Sequence, residues 1–286
     1  MRLIPIFDTS AIINLARLNE SDSIWRRVKH HLPARGCPLS FVTVMELFDG
    51  LSKSSATDFD SSLKAVKLAA RLSRRKVLLQ SIPFMHRELF NLKTAGQESA
   101  KEYLKRSLGV VQHPKFKTQF VSGDVTFLDR IEKLITSTKQ GNTAYMEEFL
   151  ESRSPGWRSQ RKKSGSPLAD SVKEKVKSIQ VDVWKRDLAR HFVPSSINRT
   201  PDKVDIVLHR CDAYLTFLIG IFRDIFTAGY RFEKNANDFH DGLQLLYLSC
   251  PLFCLVTDDG RLITRTGKSS QRDRILTVEQ FALRPS

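Results

Sequence analysis

The chain has 286 residues and carries 46 Lys and Arg against 31 Asp and Glu, a net charge of +15 at pH 7. Hydrophobic residues make up 41% of it, enough for a buried core and against wholesale disorder, and no run of about 18 apolar residues is present, so no membrane partner is expected. The positive field favours polyanions, nucleic acid first among them.

The opening reads as strand, helix, strand, helix. Leu3 to Phe7 is a short apolar strand, and Ser10 to Leu18 places Ile12, Ile13, Leu15 and Leu18 at helical spacing. An Asp at position 8 does not suit a secretory apolar segment, so the N-terminus reads as structure. A charged amphipathic helix is expected over Ser21 to His31, a second strand over Pro38 to Val42, and helices over Thr43 to Leu51 and Phe59 to Leu72. Val77 to Leu79 reads as a third strand. Strands alternating with helices point to a parallel α/β sheet.

From about Phe84 to Tyr230 helical patterns dominate: Met85 to Leu92, Ser99 to Leu108, Thr126 to Ile135, Ser171 to Leu188 and Val204 to Phe226. Ser152 to Ser166 has no hydrophobic period and reads as a mobile basic loop, with Arg153, Arg158, Arg161, Lys162 and Lys163 around Trp157. A stacking ring among cations suits nucleic acid, and an exposed basic linker explains the same composition. The α/β pattern returns with a helix over Asp241 to Ser249, a strand over Leu252 to Thr257, an Asp258-Asp259-Gly260 turn, and a last strand over Ile275 to Val278 before a short helix. The expected architecture is one α/β domain formed by residues 1–95 and 236–286, interrupted by a mainly helical insertion over residues 96–235. Cys37, Cys211, Cys250 and Cys254 lie mostly in apolar surroundings and read as reduced thiols of a cytoplasmic protein.

Four acids stand out, and each has an ordinary structural explanation. Asp8 follows a strand and precedes a helix, where a carboxylate caps well. Thr43 and Glu46 have the spacing of a capping box, yet Glu46 is flanked by Val44, Met45, Leu47 and Phe48. Asp241 falls in the first turn of a helix that Asn237 or Asp238 would cap, and Asp258 and Asp259 precede a turn glycine. Their conjunction carries more. Asp8, Glu46 and Asp259 each follow the carboxyl end of an expected strand, where ligands collect in open parallel sheets, and Asp241 begins the helix leading into the last of these strands. Clustered carboxylates repel one another, and a divalent cation relieves that repulsion.

These segments resemble the PIN-domain nucleases, a family that includes the toxin ribonucleases of bacterial toxin–antitoxin pairs. Ile6-Phe-Asp8-Thr-Ser-Ala-Ile-Ile13 is similar to the family's first acidic motif, and Val42-Thr-Val-Met-Glu46-Leu-Phe-Asp-Gly50 to its second. Asp241 to Leu248, then Leu255-Val-Thr257-Asp-Asp259, resemble the third and fourth, and Ile275 to Phe281 the last strand and helix. The resemblance implies a PIN-like parallel sheet flanked by helices. It also implies that Asp8, Glu46, Asp241 and Asp259 hold Mg2+ or Mn2+ for hydrolysis of RNA phosphodiesters. Thr257 would support the site, Asp258 competes with Asp259 for the fourth position, and Asp238 substitutes for or joins Asp241.

Small toxin members run directly from the second motif to the third, whereas residues 96–235 intervene here. That departure bears on a toxin role and on an antitoxin-like partner rather than on the chemistry. Arg210, Arg223 and Arg231 are candidate phosphate contacts beside the basic loop. A DNA nuclease, and a catalytically inactive PIN-fold protein that binds RNA or a partner, are the alternatives. Homo-oligomerisation and other protein partners stay open.

Overall fold

The computed structural model describes residues 3–19, 21–55, 57–93, 97–121, 127–153, 181–227 and 236–285. Its sheet is small and wholly parallel. Strand β1 (Ile4–Phe7) lies beside β2 (Phe253–Val256), which lies beside β3 (Ile275–Leu276). Ile4 is in register with Phe253, Phe7 with Val256, and Leu255 with Ile275. The first strand and the last two are therefore joined across almost the whole chain.

Helices form most of the described structure. In order they are α1 (Thr9–Arg17), α2 (Ser23–His31), α3 (Phe41–Ser52), α4 (Phe59–Ser73), α5 (Ser81–Phe90), α6 (Gln97–Val111), α7 (Phe116–Val121) and α8 (Phe127–Arg153). There follow α9 (Val181–Phe192), α10 (Pro201–Arg210), α11 (Asp212–Thr227), α12 (Ala236–Gly242), a 3-10 segment (Leu243–Ser249), α13 (Gly260–Arg265) and α14 (Val278–Ala282).

Alternation along the strands gives the sheet two buried faces. Ile6, Leu255 and Ile275 enter one core with Phe84, Leu188, Val207, Tyr214, Phe222 and Tyr247. Phe7, Cys254, Val256 and Leu276 enter the other with Ile12, Met45, Phe48, Val66, Leu108 and Ile131. The helices between residues 97 and 227 thus split between both cores: α6 to α8 extend the second, and α9 to α11 extend the first. All four cysteines are buried and unbridged. No helix among the described residues is long and apolar enough to cross a membrane.

Several expectations are corrected. The strands expected over Pro38 to Val42 and Val77 to Leu79 reduce to one isolated parallel bridge between Leu39 and Val77. Ser40 caps α3 through its hydroxyl, 2.8 Å from the Thr43 N–H, so the chain turns helical at Phe41 and leaves little extended backbone to pair. The same bond replaces the capping box expected at Thr43 and Glu46: Thr43 is already inside the helix, and Glu46 sits one turn further on.

The helix expected over Val204 to Phe226 is two helices that break at Cys211. Gln271 holds this joint. Its Oε1 accepts from Ala213 N–H at 2.9 Å, and its Nε2 donates to the Arg210 carbonyl at 2.9 Å. Asp241 lies in the last turn of α12 rather than the first turn of a new helix. The α12 helix passes at Gly242 into the 3-10 segment, and a Cβ at Gly242 would meet Phe217 Cε1 at 2.4 Å, so only glycine allows this approach.

Candidate functional site

The site begins where β1 ends. Asp8 donates its backbone N–H to the Val256 carbonyl at 3.0 Å, which fixes it at the carboxyl edge of the sheet. Its side chain caps α1: Oδ1 accepts from Ala11 N–H and from Ser10 Oγ, each at 2.8 Å. Its other oxygen accepts from the Thr257 hydroxyl, just beyond β2. Asp8 is only 4% exposed. Burial raises its pKa from 3.8 to about 6 despite these hydrogen bonds, and the charge of Asp259 pushes the same way.

Glu46 reaches the same place from the second turn of α3. Thr9 Oγ1 donates to its Oε2. Burial holds its carboxyl well above the ordinary range, and the neighbouring Asp241 carboxylate adds to the shift by charge and by a hydrogen bond. Asp8 raises it further. Asp241 is half-buried, at the point where α12 passes into the 3-10 segment.

Asp259 completes the group. Its Oδ1 accepts from Arg261 N–H at 2.8 Å and Leu262 N–H at 3.3 Å, which caps α13, and its own N–H donates to Thr257 Oγ1 at 3.1 Å. Thr257, fully buried, therefore links Asp8 to Asp259 through one hydroxyl. The four acids come from four separate elements, and each is coupled electrostatically or by hydrogen bond to another of the four. No Lys or Arg pairs with Asp8 or Glu46 among the described residues.

The remaining expected residues fall elsewhere. The Asp258 carboxylate is engaged by other groups: Oδ1 accepts from Val278 N–H at 3.0 Å and Oδ2 from Asn14 Nδ2 at 2.8 Å. Asp238 is buried and accepts from Arg265 at 2.7 Å, while the same guanidinium binds Asp224 at 2.8 and 3.1 Å. Arg210 donates to the Ser249 carbonyl at 2.8 Å, a contact that secures the end of the 3-10 segment. Arg158, Arg161, Lys162 and Lys163 lie outside the described residues, as does Arg231. Thr9 and Ser10 were not expected in the site. Their place directly after Asp8 was the available signal, because hydroxyls at the start of α1 face back toward the strand end.

Among the described residues no three His, Cys, Asp or Glu side chains stand as a ready-made set of metal ligands. The donor set is nonetheless all hard oxygen, and two of its carboxyls are held up by burial and by neighbouring acids. Such a group suits a small divalent cation, whose charge offsets both effects. Compared with protein-family models, curated proteins and solved structures, the chain matches none.

Proposed function

We propose that this protein is a metal-dependent endoribonuclease of the PIN-domain type. The observation that carries the reading is the convergence of Asp8, Glu46, Asp241 and Asp259 from four separate elements at the carboxyl edge of a parallel sheet. Capping accounts for Asp8 and Asp259 taken singly. It does not account for Glu46, an acid in the middle of a helix whose carboxyl is enclosed beside two others.

In this reading the four carboxylates hold Mg2+ or Mn2+. Such an ion supplies a lowered pKa to a water nucleophile and neutralises charge on the phosphodiester. The chain's own residues prepare for it. Thr257 and Ser10 fix the orientation of Asp8, and Thr9 fixes that of Glu46. Glu46, whose carboxyl is held well above the ordinary range, must be deprotonated to take part, so loading the site releases protons and depends on pH. The net charge of +15 supports a polyanionic substrate. RNA rather than DNA rests on the family resemblance.

The test is cleavage of single-stranded RNA and DNA with Mn2+, with EDTA, and by the Asp8→Asn variant. Mn2+-dependent cleavage of RNA that EDTA and the variant both abolish is expected. Equal cleavage by Asp8→Asn overturns the site, and RNA binding without cleavage favours a PIN-fold binding protein.

A further inference from the structure

Two clefts border the same helix. The first, about 360 Å³, opens on Thr9 and Glu46 of the acidic centre and is flanked by Arg17, Ser61, Lys64 and Asp58. The second, about 420 Å³, is lined by Trp25, Lys29 and Leu32 on one side and Leu68, Arg71 and Arg74 on the other. Ser61, Ala65, Leu68 and Leu72 recur at three- and four-residue steps, so both clefts lie along one stripe of α4. Lys64 and Arg71 stand two turns apart on one edge of that stripe, both exposed. From Ser61 to Leu72 the helix rises about 16 Å at ~1.5 Å per residue.

The charge along this stripe is of one sign beyond its first turn. Residues 61–87 and 23–45 contain no Asp or Glu. At the near end Asp58 accepts from Ser55 Oγ at 2.6 Å. At the far end the second cleft is walled by Trp25, which is 8% exposed with Lys29 5.1 Å from its ring centre, so the cleft mainly presents its cations. Spaced cations of this kind suit successive phosphates.

We propose that a single-stranded nucleic acid runs from the acidic centre along α4, its phosphates meeting Arg17 and Lys64 near the acids and Arg71, Arg74 and Lys29 beyond them. The assignment rests on the nuclease reading for its direction, since one end of the track is Glu46. Nucleic acid is favoured over an acidic peptide because the spaced cations lie along the helix that borders the acidic centre.

The experiment measures binding of single strands of about four and about twelve nucleotides to the metal-free protein in EDTA, across a range of salt. The distal variant is Arg71→Gln with Arg74→Asn; Asn is used because Arg74 has φ 49° and Asn tolerates that conformation. The control is Arg199→Ala with Lys268→Ala, which removes equal charge from exposed positions off the track. The distal variant is expected to weaken the longer strand on the order of tenfold and to lower its salt slope by about 1.4, with a smaller loss for the shorter strand and for the control. Equal losses from both pairs, no binding of either strand, or tighter binding of poly-glutamate than of the longer strand overturns the track. Failure of the nuclease reading is separately visible: the strand still binds along α4 in EDTA, but adding Mn2+ produces no cleavage.

Discussion

Glu46 and Asp241, 195 positions apart in the chain, are joined by a hydrogen bond between their carboxyl groups. Glu46 is carried by α3 and Asp241 by the end of α12, and burial together with the Asp241 charge keeps the Glu46 carboxyl protonated well above the usual range.

The pH dependence of stability follows from Asp8. Its pKa is raised from 3.8 to about 6 on folding, so between those values the folded chain keeps a proton that the unfolded chain releases. Stability of the metal-free protein therefore falls as pH rises from about 4 through about 6, by roughly 3 kcal/mol from this group alone, and stays low above. Thermal melting in EDTA is expected to show a higher Tm at pH 5 than at pH 7.5. Asp8→Asn flattens that difference and raises Tm at pH 7.5. A wild-type Tm that climbs over this window contradicts the assignment.

Thr257 has one hydroxyl serving two acids. Thr257→Val keeps the shape and removes the donor to Asp8 and the acceptor for Asp259 N–H. Loss of a supporting group of this kind typically costs about 10- to 100-fold in metal affinity or activity. Mn2+ concentration dependence of cleavage is expected to shift to higher Mn2+, with Tm in EDTA changed much less. An unchanged Mn2+ dependence removes Thr257 from the site.

Asp258 and Asp259 separate by function. Asp258→Asn weakens the bonds from Val278 and Asn14 and is expected to cost about 1 kcal/mol of stability while cleavage persists. Asp259→Asn removes a charge that bears on Asp8 and is expected to abolish cleavage. The opposite ranking assigns the fourth position to Asp258.

Arg265 sits between Asp238 and Asp224, and Asp238 is 7% exposed. Arg265→Ala leaves the buried Asp238 with only the more distant Arg261, 3.9 Å away, a change expected to cost about 3 kcal/mol as in comparable sites. Urea denaturation is expected to show that loss, and Asp238→Asn combined with Arg265→Ala to recover part of it. No recovery means that the pair does not set the stability of this region.

The legible parts of this molecule were those fixed locally. An apolar strand followed by Asp8, and another followed by Thr257, announce themselves, because strand ends and capping acids depend on near neighbours. Alternatives for the acids were harder to separate. Thr43 and Glu46 match a capping box in spacing, and only the Ser40 hydroxyl, three residues before Thr43, removes that reading. The break at Cys211 was hidden because apolar spacing runs on through it, while Gln271, 60 positions later, supplies the bonds that hold the joint. Asp238 and Arg265 lie 27 residues apart, and no local pattern shows that their charges cancel. Propensity and spacing report on short segments; which acids are satisfied by packing and which converge is decided by tertiary contacts.

Asp8, Glu46, Asp241 and Asp259 are proposed to form one cation-binding centre, and calorimetric titration of Mn2+ into the protein at pH 6, in two buffers of different ionisation enthalpy, is the decisive measurement. One bound ion with release of about one proton is expected for the wild type, and loss of both binding and proton release for Asp8→Asn with Glu46→Gln. Mn2+ binding of undiminished affinity by that variant, or binding by the wild type without proton release, contradicts the account.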